Sequence, residues 1–208
     1  MVLSTWGRVD VLVNNAGFAL AGAIEDVSLE AVRRQFEVNV LAYIAWMKLV
    51  GPVMRRQREG RIINISSVSG LLAFPGLGVY SASKFAVEAI SDAARLEYRP
   101  WGVRVIVIEP GSVATEIWDR SRDTSAQQGI DWEASPFRAI YQAELEHAES
   151  VAASGPSAEI VARVVVKAAK ASRPRVRYCV PLETKIIRVL AHFPDRLRDW
   201  IVGRMMNI

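Results

Sequence analysis

The sequence predicts an α/β fold built on a parallel sheet, and three features carry that reading. Apolar, β-branched runs at 9–13, 61–65 and 103–108 each end in turn-forming residues. Longer segments of helical periodicity separate them, which is the pattern of strands joined by crossover helices. A chain of 208 residues with 51% hydrophobic content suits one globular domain, able to bury a sizeable core without disulfides or a structural metal.

The first run, Val9 to Val13, is apolar on both faces, as buried central strands are, and stops at Asn14-Asn15-Ala16-Gly17. Ser28 to Arg58 follows, with Ser28 placed to cap a helix and Glu30 in its first turn, where a carboxylate favours the helix dipole. Asn39 and Pro52 weaken a helix interior, so two helices or one kinked helix are expected. The second run, Arg61 to Ile65, closes on Ser66-Ser67. A helix over 79–98 is ended by Pro100 and Gly102, and the third run, Val103 to Ile108, stops at Pro110-Gly111. Residues 112–156 mix polar residues with Trp118, Trp132, Phe137 and Tyr141 without a clear period, so a lid or substrate-binding segment is expected. Ser157 to Ala171 reads as a helix with Ser157 at its cap, and Val176 to Val180 as a strand. Residues 182–208 form a basic tail of one or two amphipathic helices broken at Pro194.

Charge is unevenly placed. Residues 1–162 hold 15 Lys/Arg and 19 Asp/Glu, whereas 163–208 hold 11 and 3, so the net +4 comes from the last quarter. No nucleic-acid-reading motif accompanies this basic region, and no nucleic-acid partner is expected. No run of eighteen apolar residues and no signal-peptide layout is present, and Cys179, read as a buried strand residue, is the one cysteine; a cytoplasmic location is expected. His147 and His192 lack ligand spacing, so no metal is expected. The tail sets Ile186, Ile187, Val189, Leu190, Phe193, Leu197, Trp200, Ile201 and Met205 among Lys185, Arg188, Arg196, Arg198 and Arg204. That mixture fits either the surface of an anionic bilayer or a helix pair closing a substrate cleft.

Tyr80 and Lys84 stand four apart on the 79–98 helix, on one face and roughly 5–6 Å apart at Cβ. An ammonium that close favours the phenolate, so a Tyr80 pKa lowered toward neutrality is expected, which would make it a usable acid or base. Alone, the pair describes an exposed helix face equally well. Its company is more telling: Ser67 lies thirteen residues before Tyr80, Asn39 forty-one before, and Pro110-Gly111 thirty after. The motifs Asn-Asn-Ala-Gly, Ile-Ser-Ser-Val-Ser-Gly and Tyr-Ser-Ala-Ser-Lys together resemble the short-chain dehydrogenase/reductase family from about Trp6 to Thr115.

The resemblance implies part of a Rossmann-like, doubly wound parallel sheet and an NAD- or NADP-dependent oxidoreductase. In such an enzyme Tyr80 gives a proton to a substrate carbonyl oxygen as a nicotinamide hydride reaches the carbon, or takes it back in alcohol oxidation. Lys84 lowers the tyrosine pKa and holds the nicotinamide ribose, and Ser67 donates to the same carbonyl oxygen. Asn39 kinks its helix and holds a water between the lysine and solvent. Asn15, Ala16 and Gly17 lie beside the adenosine half, Pro110, Gly111 and Val113 pass the nicotinamide, and Thr115 faces the carboxamide or diphosphate. The helices of 39–58 and 79–98 are those by which the family builds homodimers and homotetramers. Leu71, Leu72, Phe74, Ile117 and Trp118 fit a lipophilic alcohol or ketone, or ordinary core.

The family's glycine-rich turn, some seventy residues before the Asn-Asn-Ala-Gly strand, has no match, since no G-x-G-x-x-G occurs here. The expectation is a domain that opens midway through the fold, with the first strand left as an apolar edge and much of the pyrophosphate cradle missing. A second reading follows, of a different class: a non-catalytic binding or oligomerisation module.

Overall fold

The computed structural model describes residues 2–208 apart from residues 116, 118–120, 122, 123, 127, 128 and 207. Strands β1 (Val11–Asn14), β2 (Gly60–Ile65), β3 (Val103–Pro110) and β4 (Arg177–Val180) form one parallel sheet in chain order. Val13 registers with Ile63, Ile63 with Ile106, and Ile108 with Tyr178. Because side chains alternate across a strand, the sheet presents two apolar faces. Ile62, Val103 and Val105 pack on Met47, Val50 and Met54 of helix α3 (Ala42–Gln57) and Ala94 of α4 (Gly78–Tyr98). Ile63, Ile65, Ile106 and Ile108 pack on Ala168 and its neighbours in α6 (Glu159–Lys170). Ile62, Ile63 and Ile108 are fully buried, each contributing about 1.5–3 kcal/mol by transfer from water. Helices on both faces give the three-layered, Rossmann-like arrangement of an α/β fold.

A short helix α1 (Val2–Trp6) precedes β1. β1 pairs with β2 alone, and Val11 and Val13 are exposed, so this strand is the apolar edge the sequence predicts. Gln57 binds its approach, accepting from the Val9 N–H at 3.0 Å and donating to the Val9 carbonyl at 2.8 Å.

Between β1 and β2 the chain is helical from Leu29 to Gln57. Ser28 caps α2 (Leu29–Phe36), its Oγ accepting from the Ala31 N–H at 3.2 Å. A π turn over Glu37–Leu41 joins α2 to α3 and turns Asn39 inward, where it is fully buried. Pro52 does not interrupt α3, which continues to Gln57 and ends on Arg58 with φ 57°. The irregularity therefore falls at Asn39, where buried hydrogen bonds hold it.

Two expectations are corrected. The 112–156 segment is not aperiodic throughout, because Arg138–Ser154 forms helix α5. The cap of α6 is Ala158, while Ser157 bridges in parallel to Ala114. Cys179 in β4 is half-buried, with Sγ 3.0 Å from Glu109 Oε2. The tail forms α7 (Lys185–Leu190) and α8 (Asp195–Met205), separated at Pro194 as expected. Leu190 and Val202 bury against Leu72 and fasten both helices to the domain.

Candidate active site

The C-terminal ends of parallel strands are where open α/β sheets bind ligands, and the turns there converge on one cleft of about 1480 Å³. After β1 the turn supplies Asn15 and Gly17; after β2, Ser66 and Ser67; after β3, Pro110, Gly111, Val113 and Thr115. The N-terminal half of α4 brings Tyr80 and Lys84 to the same cleft. Ala16 is exposed and does not line it.

Lys84 is buried, and its Nζ donates to the Ile65 carbonyl at 2.9 Å. The same nitrogen stands 5.7 Å from the Tyr80 ring centroid and 5.9 Å from that of Tyr43. Burial lowers its pKa to about 8, opposed by the Glu88 carboxylate one turn on. An ammonium carries three donors, so the bond to Ile65 leaves two for a ligand.

Tyr80 departs from expectation. Burial raises its pKa, and a hydrogen bond with Ser67 only opposes that rise. The phenol has lost its water, and the nearby ammonium is itself desolvated and turned to a carbonyl. At neutral pH Tyr80 is thus a protonated acid in the empty protein, paired with a second hydroxyl. Ser67 has an extended backbone, and its Oγ accepts from the Ser69 N–H at 3.1 Å and lies 3.5 Å from the Pro110 carbonyl.

Asn39 lies beneath these groups. Its Oδ1 accepts from the Phe18 N–H at 3.1 Å, and its Nδ2 donates to the Phe18 carbonyl at 2.9 Å and Ser83 Oγ at 3.0 Å. Ser83 Oγ donates in turn to the Tyr80 carbonyl at 2.7 Å. The side-chain amide thus ties the turn after β1 to the turn of α4 that carries Tyr80. A Cβ at Gly17 would fall 3.1 Å from Asn39 Oδ1 and 3.8 Å from Lys84 Nζ, so glycine keeps the cleft floor open.

A charged cluster backs the site. Glu109, next to Pro110, is fully buried, is paired by Arg188, and lies 3.2 Å from Arg177 Nε. Arg177 also holds Glu88 Oε2 at 3.0 Å and Asp92, joining α4 to β3 and β4. Burial and Glu109 push the Cys179 thiol up to about 11, which leaves it neutral. Partners spread over residues 88 to 188 give no local sequence signal for this cluster.

Of the residues read as a lipophilic pocket, Phe74 and Ile117 line the cleft, Leu72 belongs to the core under the tail, and Leu71 does not line the cleft. Trp118 lies outside the described residues. Ile187 and Met206 of the tail complete an apolar wall, in line with the tail as a helix pair over the cleft, together with Val161 and Val165 of α6, which the sequence did not assign to the site. Glu144 and His147 of α5 also face the cleft, with His147 Nε2 2.8 Å from Ser112 Oγ. The spacing Tyr141, Glu144, Ala148, Val151 follows one helical face and was the available signal for α5.

These residues fit the nicotinamide end of a dinucleotide. A cation with spare donors, an open glycine floor and a proton donor meet at strand ends, in a volume above the ~300–1,000 Å³ of ordinary ligand pockets.

Relatives agree. The family described as short chain dehydrogenase matches residues 1–126. The NADPH-dependent 3-dehydrocapnine reductase of Ornithobacterium rhinotracheale is 37% identical over 199 residues, covering 93% of this chain and 69% of that protein. The 3-ketodihydrosphingosine reductase of Bacteroides thetaiotaomicron is 33% identical over 207 residues, covering 99% and 73%. A short chain dehydrogenase/reductase from Burkholderia phymatum, solved in complex with NAD, superposes with a TM-score of 0.73 at 28% identity, covering 89% of this chain and 66% of that one. Against several relatives the chain spans less than two thirds of their length, 62% in one case and 55% in another. Fold, site and sequence likeness lead to one conclusion: this chain belongs to the short chain dehydrogenase family of NAD(P)-dependent oxidoreductases.

Proposed function

We propose that the protein interconverts a lipophilic secondary alcohol and its ketone with NAD or NADP. The observation that carries this reading is the meeting of Tyr80, Ser67 and Lys84 on one wall of a cleft that Phe74, Val161, Val165 and Ile187 line elsewhere with apolar side chains. A bound nicotinamide dinucleotide supplies or accepts the hydride. Tyr80 and Ser67 together hold the carbonyl oxygen, two hydroxyls set where negative charge develops. In reduction Tyr80 passes its proton to that oxygen, and its raised pKa keeps the proton available until the oxygen becomes basic. Lys84 then stabilises the phenolate and holds the ribose with its remaining donors. Asn39 positions α4 and the Phe18 turn, as a support for the reacting groups.

The names of the sphingosine and capnine relatives support a long-chain substrate. So do Phe74, Val165, Ile187 and Met206 along the cleft. The tail lines this cleft with Ile186, Ile187 and Met206, while Val189 and Trp200 do not line it and stand 60% and 62% exposed. We therefore propose that this outer face, with the basic residues of 163–208, rests on an anionic membrane surface from which substrate enters. The exposed Trp46, Leu49 and Phe85 of α3 and α4 support a homo-oligomer through those helices.

The test is reduction of a series of 2-, 3- and 4-alkanones of rising chain length with NADPH or NADH. Turnover that rises with chain length and is lost in Tyr80→Phe is the expected result. No cofactor oxidation with any ketone, or an unimpaired Tyr80→Phe, overturns the reading.

A further inference from the structure

Glu144 has no part in the chemistry just described, yet it is 92% buried by its 8% exposure and faces the cleft. It lies on α5 over the loop entering α4. A Cβ added at Gly76 would sit 3.3 Å from Glu144 Cγ and 3.9 Å from Cδ, so the carboxyl group rests on a backbone position four residues before Tyr80. Gly76 has φ +76° and no side chain, and both features leave room for this carboxyl.

Among the described residues nothing donates a hydrogen bond to Glu144 and no cation pairs with it. Burial raises its pKa to about 7, so near neutral pH the carboxyl stands between its neutral and charged forms, and a cation beside it would favour the charged one. Its described surroundings offer no cation. It lines both the main cleft and an adjoining recess of about 100 Å³, whose other walls include Leu77, Trp132, Leu145 and Ala148. Among the described residues, Glu149 in the recess and Glu146 in the cleft carry charge of its own sign. His147 lies one turn away in the cleft, and its Nε2 is engaged with Ser112. Lys84, the one Lys or Arg among the described residues that lines the cleft, is held at Ile65. No Lys or Arg among the described residues lines the recess.

We propose that Glu144 recognises a cationic amine carried by the substrate, so that the enzyme acts on amino ketones or amino alcohols with an apolar chain. This deepens the functional reading above and rests on it, since the amine is placed relative to a carbonyl held by Tyr80 and Ser67. An ammonium suits the site better than a hydroxyl because hydrogen bonds between charged groups are about twice as strong as neutral ones. It would also neutralise a charge that burial otherwise disfavours. Three carboxylates on α5 draw a cation toward that side of the cleft, while Tyr80 and Ser67 hold the oxygen at the other.

Two measurements test this independently of each other. In the first, kcat/KM is compared for a long-chain 2-amino ketone and its des-amino counterpart in wild-type enzyme and in Glu144→Gln. We expect wild type to prefer the amine at least tenfold and Glu144→Gln to lose that preference while keeping its rate on the des-amino ketone. Equal loss on both ketones means a structural role and overturns the proposal. In the second, octylamine and octanol are titrated into cofactor-loaded protein while the fluorescence of Trp132, in the recess wall, is followed against Trp132→Phe. Tighter binding of octylamine, weakened in Glu144→Gln and largely kept in Glu144→Asp, supports the assignment even if the ketones chosen are poor substrates. Equal binding of the two probes by wild type overturns it, and absence of turnover with amine selectivity intact would instead count against the reading of Tyr80 and Ser67.

Discussion

Lys84 Nζ is fastened to the main-chain carbonyl of Ile65, the last residue of β2, at 2.9 Å. The bond ties α4 to the strand that leads into Ser66 and Ser67, so the ammonium, the Tyr80 ring and the Ser67 hydroxyl share one rigid frame. A side chain that sits in this way holds its charge at the expense of stability, and that trade-off can be measured.

Replacing Tyr80 with Phe removes the proton donor and keeps the ring in its buried site. Turnover should fall by about 10²-fold or more, the usual cost of losing a general acid. Cofactor affinity, measured by calorimetry, should stay within a few-fold of wild type. A variant with near-normal kcat would remove Tyr80 from the mechanism.

Lys84→Met should abolish cofactor-dependent turnover and yet stabilise the empty protein. The folded pKa of about 8 lies below the ordinary 10.5, a difference of order 3 kcal/mol carried against folding while the amine is charged. Losing the bond to Ile65 costs about 1 kcal/mol, so a net gain of roughly 2 kcal/mol is expected at pH 7 in urea unfolding. The sign follows from proton uptake. Between pH 8 and 10.5 the unfolded chain binds the extra proton, so wild-type stability from this group rises with pH across that window, and below 8 its cost is complete. The advantage of the Met variant should therefore shrink as pH rises from 8 to 10, and a constant advantage would refute the assignment.

Asn39→Ala should be among the more damaging single changes to stability. It leaves the Phe18 N–H without its partner, at roughly 1–3 kcal/mol, and removes one of two bonds from the Phe18 carbonyl and from the Ser83 hydroxyl, which keep Gln35 and the Tyr80 carbonyl. Chemical unfolding should show a loss of roughly 2–3 kcal/mol, with lower activity in the folded fraction. A loss below ~1 kcal/mol would mean that these bonds are replaced by water.

The outward tail face gives a physical prediction for membranes. The protein should co-sediment with anionic vesicles at low salt, and release as salt screens its arginines. Val189→Glu combined with Trp200→Glu, both at exposed positions outside the cleft lining, should abolish sedimentation without changing the melting temperature. Vesicle binding that is absent at low salt, or indifferent to those changes, would leave the tail as a cleft wall alone.

The sequence by itself determined the sheet and the reacting groups. Three β-branched runs became β1, β2 and β3 because local pattern and burial on both faces agree there. Motif spacing placed Ser67, Tyr80, Lys84, Pro110 and Gly111 around one cleft, since strand ends and a single helix turn fix those positions within short stretches of chain. Helix α5 is hard to read from the sequence because the charged Glu144 interrupts its inward stripe between Tyr141 and Ala148. Only the tertiary structure decided that Tyr80 is pushed up rather than down, that Asn39 is spent on Phe18 and Ser83, and that Glu109 is held by Arg177 and Arg188. It also decided that the tail walls the cleft. The reason is common to all four: desolvation and long-range pairing depend on what surrounds a residue in space, and the spacing of side chains along the chain carries no record of the water they lose.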